Sequence, residues 1–147
     1  MVEIGQESDL ELVRVLFREY ADGLGVDLAF QEFARELDEL PGDYVRLLVA
    51  RVDGRPAGCV GVRPLGEGVC EMKRLYVRQA FRGHGLGRSL AEAAISAARE
   101  LGYARMRLDT LPFMTEAMAL YESLGFGDVE AYRFNPIRGS RYLELRL

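Results

Sequence analysis

Three closely spaced glycines, in the run Arg82-Gly83-His84-Gly85-Leu86-Gly87, separate a strand-like stretch from a helix-like stretch. Residues 70–77 precede the run and are rich in β-formers, whereas the residues after it are alanine-rich with apolar side chains at helical spacing. A glycine turn that opens a helix leaves backbone N–H groups unpaired at the positive end of the helix dipole. Glycine also lets an anion approach the backbone without meeting a Cβ atom. The run therefore predicts a pyrophosphate-binding turn, with Arg82 as an additional cation, in a chain that combines strands and helices.

The spacing of these glycines excludes two known kinds of phosphate-binding turn. No Gly-Lys-Ser/Thr follows them, which excludes a P-loop. A dinucleotide-binding turn needs Gly-x-Gly-x-x-Gly in the first βαβ unit, whereas these glycines stand at 83, 85 and 87 in the middle of the chain. The pattern that remains is Arg-x-x-Gly-x-Gly.

Arg-x-x-Gly-x-Gly resembles the acetyl-CoA loop of the GCN5-related N-acetyltransferase (GNAT) superfamily. The segment from Ala117 through Tyr121 to Gly125-Phe126 also matches the family pattern Ala-x-x-x-Tyr-x-x-x-Gly-Phe. The resemblance extends over residues 69–127. It implies an N-acetyltransferase that takes acetyl-CoA as acyl donor, needs no metal, and acts on a primary amine by direct attack in a ternary complex.

The order of the predicted elements gives the fold class. Two helices, a β-hairpin with Asp53-Gly54 at its turn, a strand, a helix, a strand, a helix and two final strands predict a mixed, mostly antiparallel sheet flanked by helices. We therefore expect a single α/β (α+β) domain over residues 1–147. The first helix is expected to begin at a capping box of Ser8 and Glu11, the second to span about 30–40, and the last strands to cover about 129–134 and 141–147. The resemblance implies that the strands ending at Val77 and Asp109 splay apart to admit the cofactor.

The resemblance also assigns the cofactor-binding residues. The backbone of Leu75, Tyr76 and Val77 would pair with the pantetheine arm like an added strand. The turn and the start of the next helix would hold the pyrophosphate, through Arg82, Gly83, His84, Gly85, Leu86, Gly87 and Arg88. We expect His84, the only histidine, to be exposed near the phosphates, because the backbone carries the binding there. Arg88 either reaches a phosphate or is a surface charge.

Acetyl transfer to an amine needs a proton acceptor, and Glu71 is the first candidate. Family members often carry an acidic base six residues before the final apolar residue of this strand, and Glu71 stands six before Val77. Alternation places Glu71, Lys73, Leu75 and Val77 on one strand face, unless a bulge shifts the phase. The alternative is that Glu71 pairs with Lys73 or Arg74. Asp109 is the second candidate base, with a capping or turn role as its alternative.

Tyr121 is the candidate acid, since the resemblance implies that its phenol lies near the sulfur of CoA. The alternative is that Tyr121 only fills the core. Met114 stands where family members often carry an asparagine that contacts the cofactor. The pantetheine contact on this side is therefore expected to be apolar or supplied by Thr110.

Net charge, the cysteines and the first nine residues limit the partners and the location that we expect for the protein. A formal net charge of −4 disfavours nucleic acid and anionic membranes. Cys59 and Cys70 form no Cys-x-x-Cys pair, and residues 1–9 carry no apolar run of a secretory signal, so we expect free thiols in a cytoplasmic protein. The acceptor is expected to be a small-molecule amine. Arg74, Arg133 and Arg138 would either hold an acceptor carboxylate or, as we favour, be ordinary surface arginines. A homodimer is compatible with the fold, and the alternative function is a non-catalytic acyl-CoA-binding or sensor module.

Overall fold

A computed structural model of the protein describes residues 1–25, 32–133 and 135–147. The described residues form a seven-stranded sheet with helices on both faces, in the strand order β1-β2-β3-β4-β5-β7-β6. Neighbouring strands run antiparallel except β4 and β5, which run parallel. The strands are β1 (Val2–Gln6), β2 (Arg46–Val52), β3 (Arg55–Gly66), β4 (Val69–Val77), β5 (Arg105–Thr110), β6 (Gly127–Asp128) and β7 (Arg141–Arg146). The helices are α1 (Leu10–Leu24), α2 (Phe33–Asp38), α3 (Leu86–Glu100) and α4 (Thr115–Ser123), with a 3₁₀ turn at Gln79–Phe81. The predicted fold class is confirmed.

The sheet carries one apolar cluster on each face. On one face, Val13, Leu16 and Phe17 of α1 pack with Leu37 of α2 and Cys59 of β3. On the other face, the alanine-rich side of α3 packs against β2, β3 and β4. This apolar cluster includes Leu90, Ala91, Ala94, Val60, Val62, Met72, Met106 and Leu108. Helical spacing of apolar residues produces both contacts, since each helix buries a single stripe.

Two predicted helix boundaries need correction or restriction. Asp9, not Ser8, caps α1: its Oδ1 accepts from the N–H groups of Glu11 and Leu12 at 3.1 and 3.3 Å. The predicted capping box is therefore wrong by one residue. The second predicted helix is present from Phe33, and residues 30 and 31 of that prediction lie outside the described residues. No helix among the described residues is long and apolar enough to span a membrane.

The parallel pair β4–β5 opens after three residue pairs. These are Val69 with Arg105, Cys70 with Met106 and Glu71 with Arg107. Beyond them β5 continues to pair with β7 as far as Thr110, while β4 continues beside β3. The predicted splay is confirmed, and it leaves an opening between the C-terminal ends of two parallel strands.

A β-bulge in β4 changes which side chains face this opening. Arg74 has a φ of +60°, and the pairing passes from Gly61–Lys73 to Cys59–Tyr76, so β4 contains one extra residue. Leu75 and Val77 pack with the α3 cluster, as Met72 does. They therefore lie opposite Glu71, and the prediction that Glu71, Leu75 and Val77 share one face is wrong.

The predicted strand at 129–134 is also wrong. The described part of it, residues 129–133, has no regular structure, and residue 134 lies outside the described residues. The two-residue β6 pairs with Leu143 and Glu144 instead, after which Val129 donates to the Tyr142 carbonyl at 2.9 Å. The chain then leaves the sheet because Tyr132 and Arg133 turn inward toward a buried carboxylate.

Candidate active site

A groove of about 620 Å³ runs along the end of β4 and the start of α3. Its other walls come from Tyr20 and Leu24 of α1 and from residues 113–117 and 120 at the start of α4. Eight of the residues predicted to bind the cofactor line it: Leu75, Tyr76, Val77, Arg82, Gly83, Gly85, Leu86 and Gly87. The structure therefore gathers most of the predicted cofactor site into one continuous surface.

The glycine turn has the conformation that an anion site needs. Gly83 and Gly85 have φ values of +84° and +76°, and a Cβ added at either position would project into open space. No side chain of the described residues caps α3 at Gly85. The N–H groups of the first helical turn are thus left for an external acceptor, which is the arrangement of an anion-binding helix start.

The charged and aromatic residues of the turn are Arg82, His84 and Arg88, and each lies in different surroundings. Arg82 donates from Nε to the Val77 carbonyl at 2.9 Å. His84 is exposed and does not line the groove. Arg88 donates to Ser123 Oγ at 2.9 Å and lies 3.6 Å from Glu92, so it links α3 to α4 on the surface. In this structure neither His84 nor Arg88 belongs to the groove wall.

A small inner pocket of about 30 Å³, room for about one water molecule, lies where β4 and β5 separate. Tyr121 reaches it from α4 and Asp109 from β5, with Lys73 of β4 and Asn135 also in its wall. Leu75, Met114, Leu24 and Tyr20 line both the pocket and the groove. The two spaces are therefore adjacent.

Tyr121 is held as a neutral phenol. Its side chain is buried, and its ring makes an edge-to-face contact with Phe126 at 5.7 Å between centroids. Burial raises its pKa well above the usual value, and Tyr20 and Asp109 add to the effect. A phenol in this state keeps its proton at neutral pH.

Asp109 is the carboxylate of the inner pocket. It is half-buried, and its Oδ2 accepts from Asn135 Nδ2 at 3.3 Å. The residue before α4 is Met114, and no side chain in the described part of the chain makes a capping hydrogen bond at this helix start. Asp109 therefore does not cap α4. The contact with Asn135 joins β5 to the segment that precedes β7.

Glu71 lies deeper and has more partners. It is fully buried, its Oε1 accepts from Arg63 Nε at 2.9 Å, and its Oε2 accepts from Tyr132 at 2.9 Å and from Arg133. Burial raises the pKa of this carboxyl, but the charges of Lys73, Arg133 and Arg63 outweigh burial and hold the pKa below its usual range. Among the described residues, the direct partners of Glu71 include Arg63, Tyr132 and Arg133, which are distant in sequence, and Lys73 of its own strand acts on it through its charge.

The arginines considered for an acceptor carboxylate already have acidic partners or are exposed. Arg74 is buried, and its guanidinium contacts both carboxylate oxygens of Glu36, at 3.1 and 3.0 Å. Arg133 contacts Glu71, and Arg138 is exposed. Sequence reasoning missed Arg63, Tyr132 and Asn135, because no local pattern links them to residues that only the fold brings near.

The wall around Met114 was expected to be apolar or to be supplied by Thr110, and the structure agrees with the first expectation. Met114 lines the groove and the inner pocket, together with Leu111 in the pocket. The Oγ1 of Thr110 is buried without a hydrogen-bond partner among the described residues. The wall on this side is thus largely apolar, with Thr110 as an unsatisfied hydroxyl at the end of β5.

Comparisons with known proteins identify the family. The model of the Acetyltransferase (GNAT) family matches residues 11–126. An uncharacterized N-acetyltransferase of Schizosaccharomyces pombe is 41% identical over 146 residues, which cover 95% of this chain and 90% of that one. The IAA acetyltransferase of Azospirillum brasilense is 34% identical over 86% of this chain and 85% of its own. The chain therefore belongs to the GNAT family and is an acyltransferase.

The solved structures agree on the fold. The PaiA N-acetyltransferase of Thermoplasma acidophilum, solved in complex with coenzyme A, superimposes with a TM-score of 0.77 at 19% identity. The match covers 100% of this chain and 99% of that one. At this identity the likeness establishes a common fold.

Proposed function

We propose that the protein transfers an acetyl group from acetyl-CoA to a primary amine by direct attack in a ternary complex. One observation carries this proposal: the groove that begins at an uncapped glycine turn ends at a small pocket holding Tyr121 and Asp109. A CoA-type donor laid along the groove places its phosphates at the turn and its thioester at the pocket. Coenzyme A in the Thermoplasma PaiA structure supports the choice of donor.

The donor is held mainly by backbone. The N–H groups at the start of α3 bind the diphosphate, and the backbone of Leu75, Tyr76 and Val77 pairs with the pantetheine arm. Arg82 is adjacent to both sets of groups, because its guanidinium already contacts the Val77 carbonyl. We place His84 at the exposed rim of the turn, whereas Arg88 pairs with Ser123 and Glu92 on the surface and is given no phosphate contact. Met114 supplies an apolar contact where a relative would place an amide.

The reaction forms one C–N bond and breaks one C–S bond. Asp109 takes the proton of the incoming ammonium through water, and the amine lone pair attacks the thioester carbonyl. A backbone N–H at the end of β4 stabilises the oxyanion. As the tetrahedral intermediate collapses and the C–S bond breaks, Tyr121 gives its proton to the departing CoA sulfur, and the second proton lost from the nitrogen restores the Tyr121 phenol. The contacts of Glu71 do not support the same base role for that residue.

The acceptor that fits is small. The inner pocket has room for about one water molecule, and its wall mixes apolar side chains with Asp109, Asn135 and Lys73. A space of this size admits at most the amino group of an acceptor, and we propose that this group belongs to a compact amine. The presence of a buried phenol and a carboxylate beside the expected thioester favours chemistry over a purely sensing role.

Ligand-dependent thermal unfolding, followed by a CoA-release assay, tests this proposal. A ligand that binds only the folded state raises the unfolding midpoint by mass action. We expect acetyl-CoA and CoA to raise it and NAD to leave it unchanged. A panel of small primary amines should then release CoA from acetyl-CoA in stoichiometric amounts with acetylated amine, measured by mass spectrometry. No midpoint shift with either CoA species would overturn the proposal.

A further inference from the structure

We propose that Glu71 is a positioning residue: its buried carboxylate anchors the segment of residues 129–140 against the inner pocket and so orients Asp109 through Asn135. This inference rests on the proposed function. The resemblance implied that Glu71 is a base, and the inference gives Glu71 a different task in this chain. It also defines the anchored segment, residues 129–140 as far as they are described, as the acceptor-side wall.

Both oxygens of Glu71 are occupied by donors from other parts of the chain. Arg63 of β3 donates to Oε1 at 2.9 Å. Tyr132 donates to Oε2 at 2.9 Å, and Arg133 donates to the same oxygen. Two of the three donors belong to the anchored segment, so the carboxylate joins that segment to the centre of the sheet.

The environment of Glu71 opposes proton acceptance. The side chain has no exposed surface, and it does not line the inner pocket. A proton arriving at the carboxylate would displace a hydrogen bond from Arg63, Tyr132 or Arg133 and leave the partly buried Arg63 and Arg133 without their counter-ion. The lowered pKa has the same origin. The carboxylate is therefore suited to holding cations in place.

The anchored segment has little other regular structure to fix it. In the part of the segment that the structure describes, the sheet holds it only as far as the Val129 contact with Tyr142. Beyond that point, Tyr142 donates to the Arg133 carbonyl at 2.9 Å. Two residues after Arg133, the Asn135 amide donates to Asp109 at 3.3 Å inside the pocket. Contacts from Glu71 thus lead through Tyr132, Arg133 and Asn135 to the proposed base.

Kinetics of three variants distinguish positioning from base catalysis. Glu71→Gln removes the charge, Tyr132→Phe removes one hydrogen bond to Glu71, and Tyr142→Phe removes a contact of the segment that does not involve Glu71. Under positioning, all three raise the KM for the amine, by about 10-fold or more for Glu71→Gln and about 3-fold for the phenylalanine variants. The acidic limb of kcat against pH stays in place.

A base role gives the opposite pattern. Glu71→Gln would abolish the acidic limb and lower kcat without raising KM. Tyr132→Phe would move that limb to higher pH, because the carboxylate would lose a hydrogen bond that favours its charged form. Tyr142→Phe would change neither. This pattern would overturn the positioning role while leaving the acetyltransferase activity established.

A second readout does not depend on activity. Hydrogen exchange should become faster within residues 129–140 in Tyr132→Phe and Glu71→Gln, and stay unchanged at the start of α3. Acetyl-CoA should still raise the unfolding midpoint of Tyr132→Phe as in the parent protein. Unchanged exchange in the anchored segment of folded Tyr132→Phe and Glu71→Gln would contradict the inference. The thermal response to acetyl-CoA separately reports on the proposed function.

Discussion

The proposed donor half and the proposed acceptor half of the site are built by different means. In the donor half, which consists of the end of β4, the glycine turn and the start of α3, the available groups are mostly backbone N–H and C=O. In the acceptor half, Glu71, Arg63, Tyr132, Arg133 and Asp109 make side-chain contacts between positions up to 62 residues apart. The first half depends on backbone conformation, and the second depends on charges brought together by the fold.

This difference sets how each half should respond to mutation. A backbone site fails when a residue cannot adopt its φ or fills the space that a ligand needs. A site of buried ion pairs fails when one partner loses its charge, since the other is left buried without compensation. A single substitution should therefore disturb only one half. A substitution that disturbs both would contradict the distinction between a backbone site and a site of ion pairs.

The largest expected effect is loss of donor binding on filling the glycine turn. Gly85→Glu places a carboxylate where the diphosphate should bind, and we expect acetyl-CoA affinity to fall by at least about 100-fold. Gly102→Glu is a matched control, because Gly102 also has a positive φ and open space at the far end of α3. Calorimetric titration should show normal binding for Gly102→Glu, which carries the same backbone strain. Equal losses in both would mean that strain, not the cradle, controls binding.

The next effect tests the acceptor half through its proposed base. Asp109→Asn should lower kcat by about 100-fold with acetyl-CoA affinity unchanged, because the amide cannot take the acceptor's proton. Asp128→Asn serves as control, since Asp128 is an exposed carboxylate that pairs with Arg141. Steady-state kinetics with one amine at several pH values measure both. A kcat for Asp109→Asn within a factor of two of the parent would remove Asp109 as base.

A smaller effect concerns acid stability. The folded-state pKa of Glu71 lies below its unfolded value of 4.5, so its stabilisation is present above about pH 4.5 and is lost as the pH falls through the folded pKa. At neutral pH, Glu71→Gln should lower the free energy of unfolding by about 1–3 kcal/mol. The loss should shrink on acidification. Unfolding midpoints between pH 3 and 7 would reveal it, and Glu92→Gln, which removes a surface pair with Arg88, provides the comparison.

The sequence predicted the backbone geometry of the proposed donor half for a physical reason. Glycine spacing encodes backbone conformation directly, so the turn at 83–87, the helix after it and the splayed strands follow from local patterns. The side-chain alternation along β4 did not follow from local patterns. The bulge at Arg74 inserts one residue and so reverses the sheet face on which Leu75 and Val77 lie. A positive φ at an arginine has no sequence signal.

The acceptor half was predictable only as a set of candidate residues. Alternation in residues 129–134 suggested a strand, but the attraction of Tyr132 and Arg133 to buried Glu71 prevails over β-propensity there. The partners of Glu71 are 8, 61 and 62 residues away, and no local pattern specifies such pairs. Glu71, Asp109 and Tyr121 were all identified as candidates; which carboxylate faces the pocket required the fold.

The most direct measurement compares Tyr121→Phe with the parent protein in acetyl transfer and in acetyl-CoA binding. The phenylalanine ring keeps the contact with Phe126, so only the proton donor is removed. We expect kcat to fall by about 10- to 100-fold while acetyl-CoA affinity stays within a factor of about two. Unchanged turnover, or a collapse of affinity together with stability, would show that Tyr121 is only a core residue and would contradict the proposed chemistry.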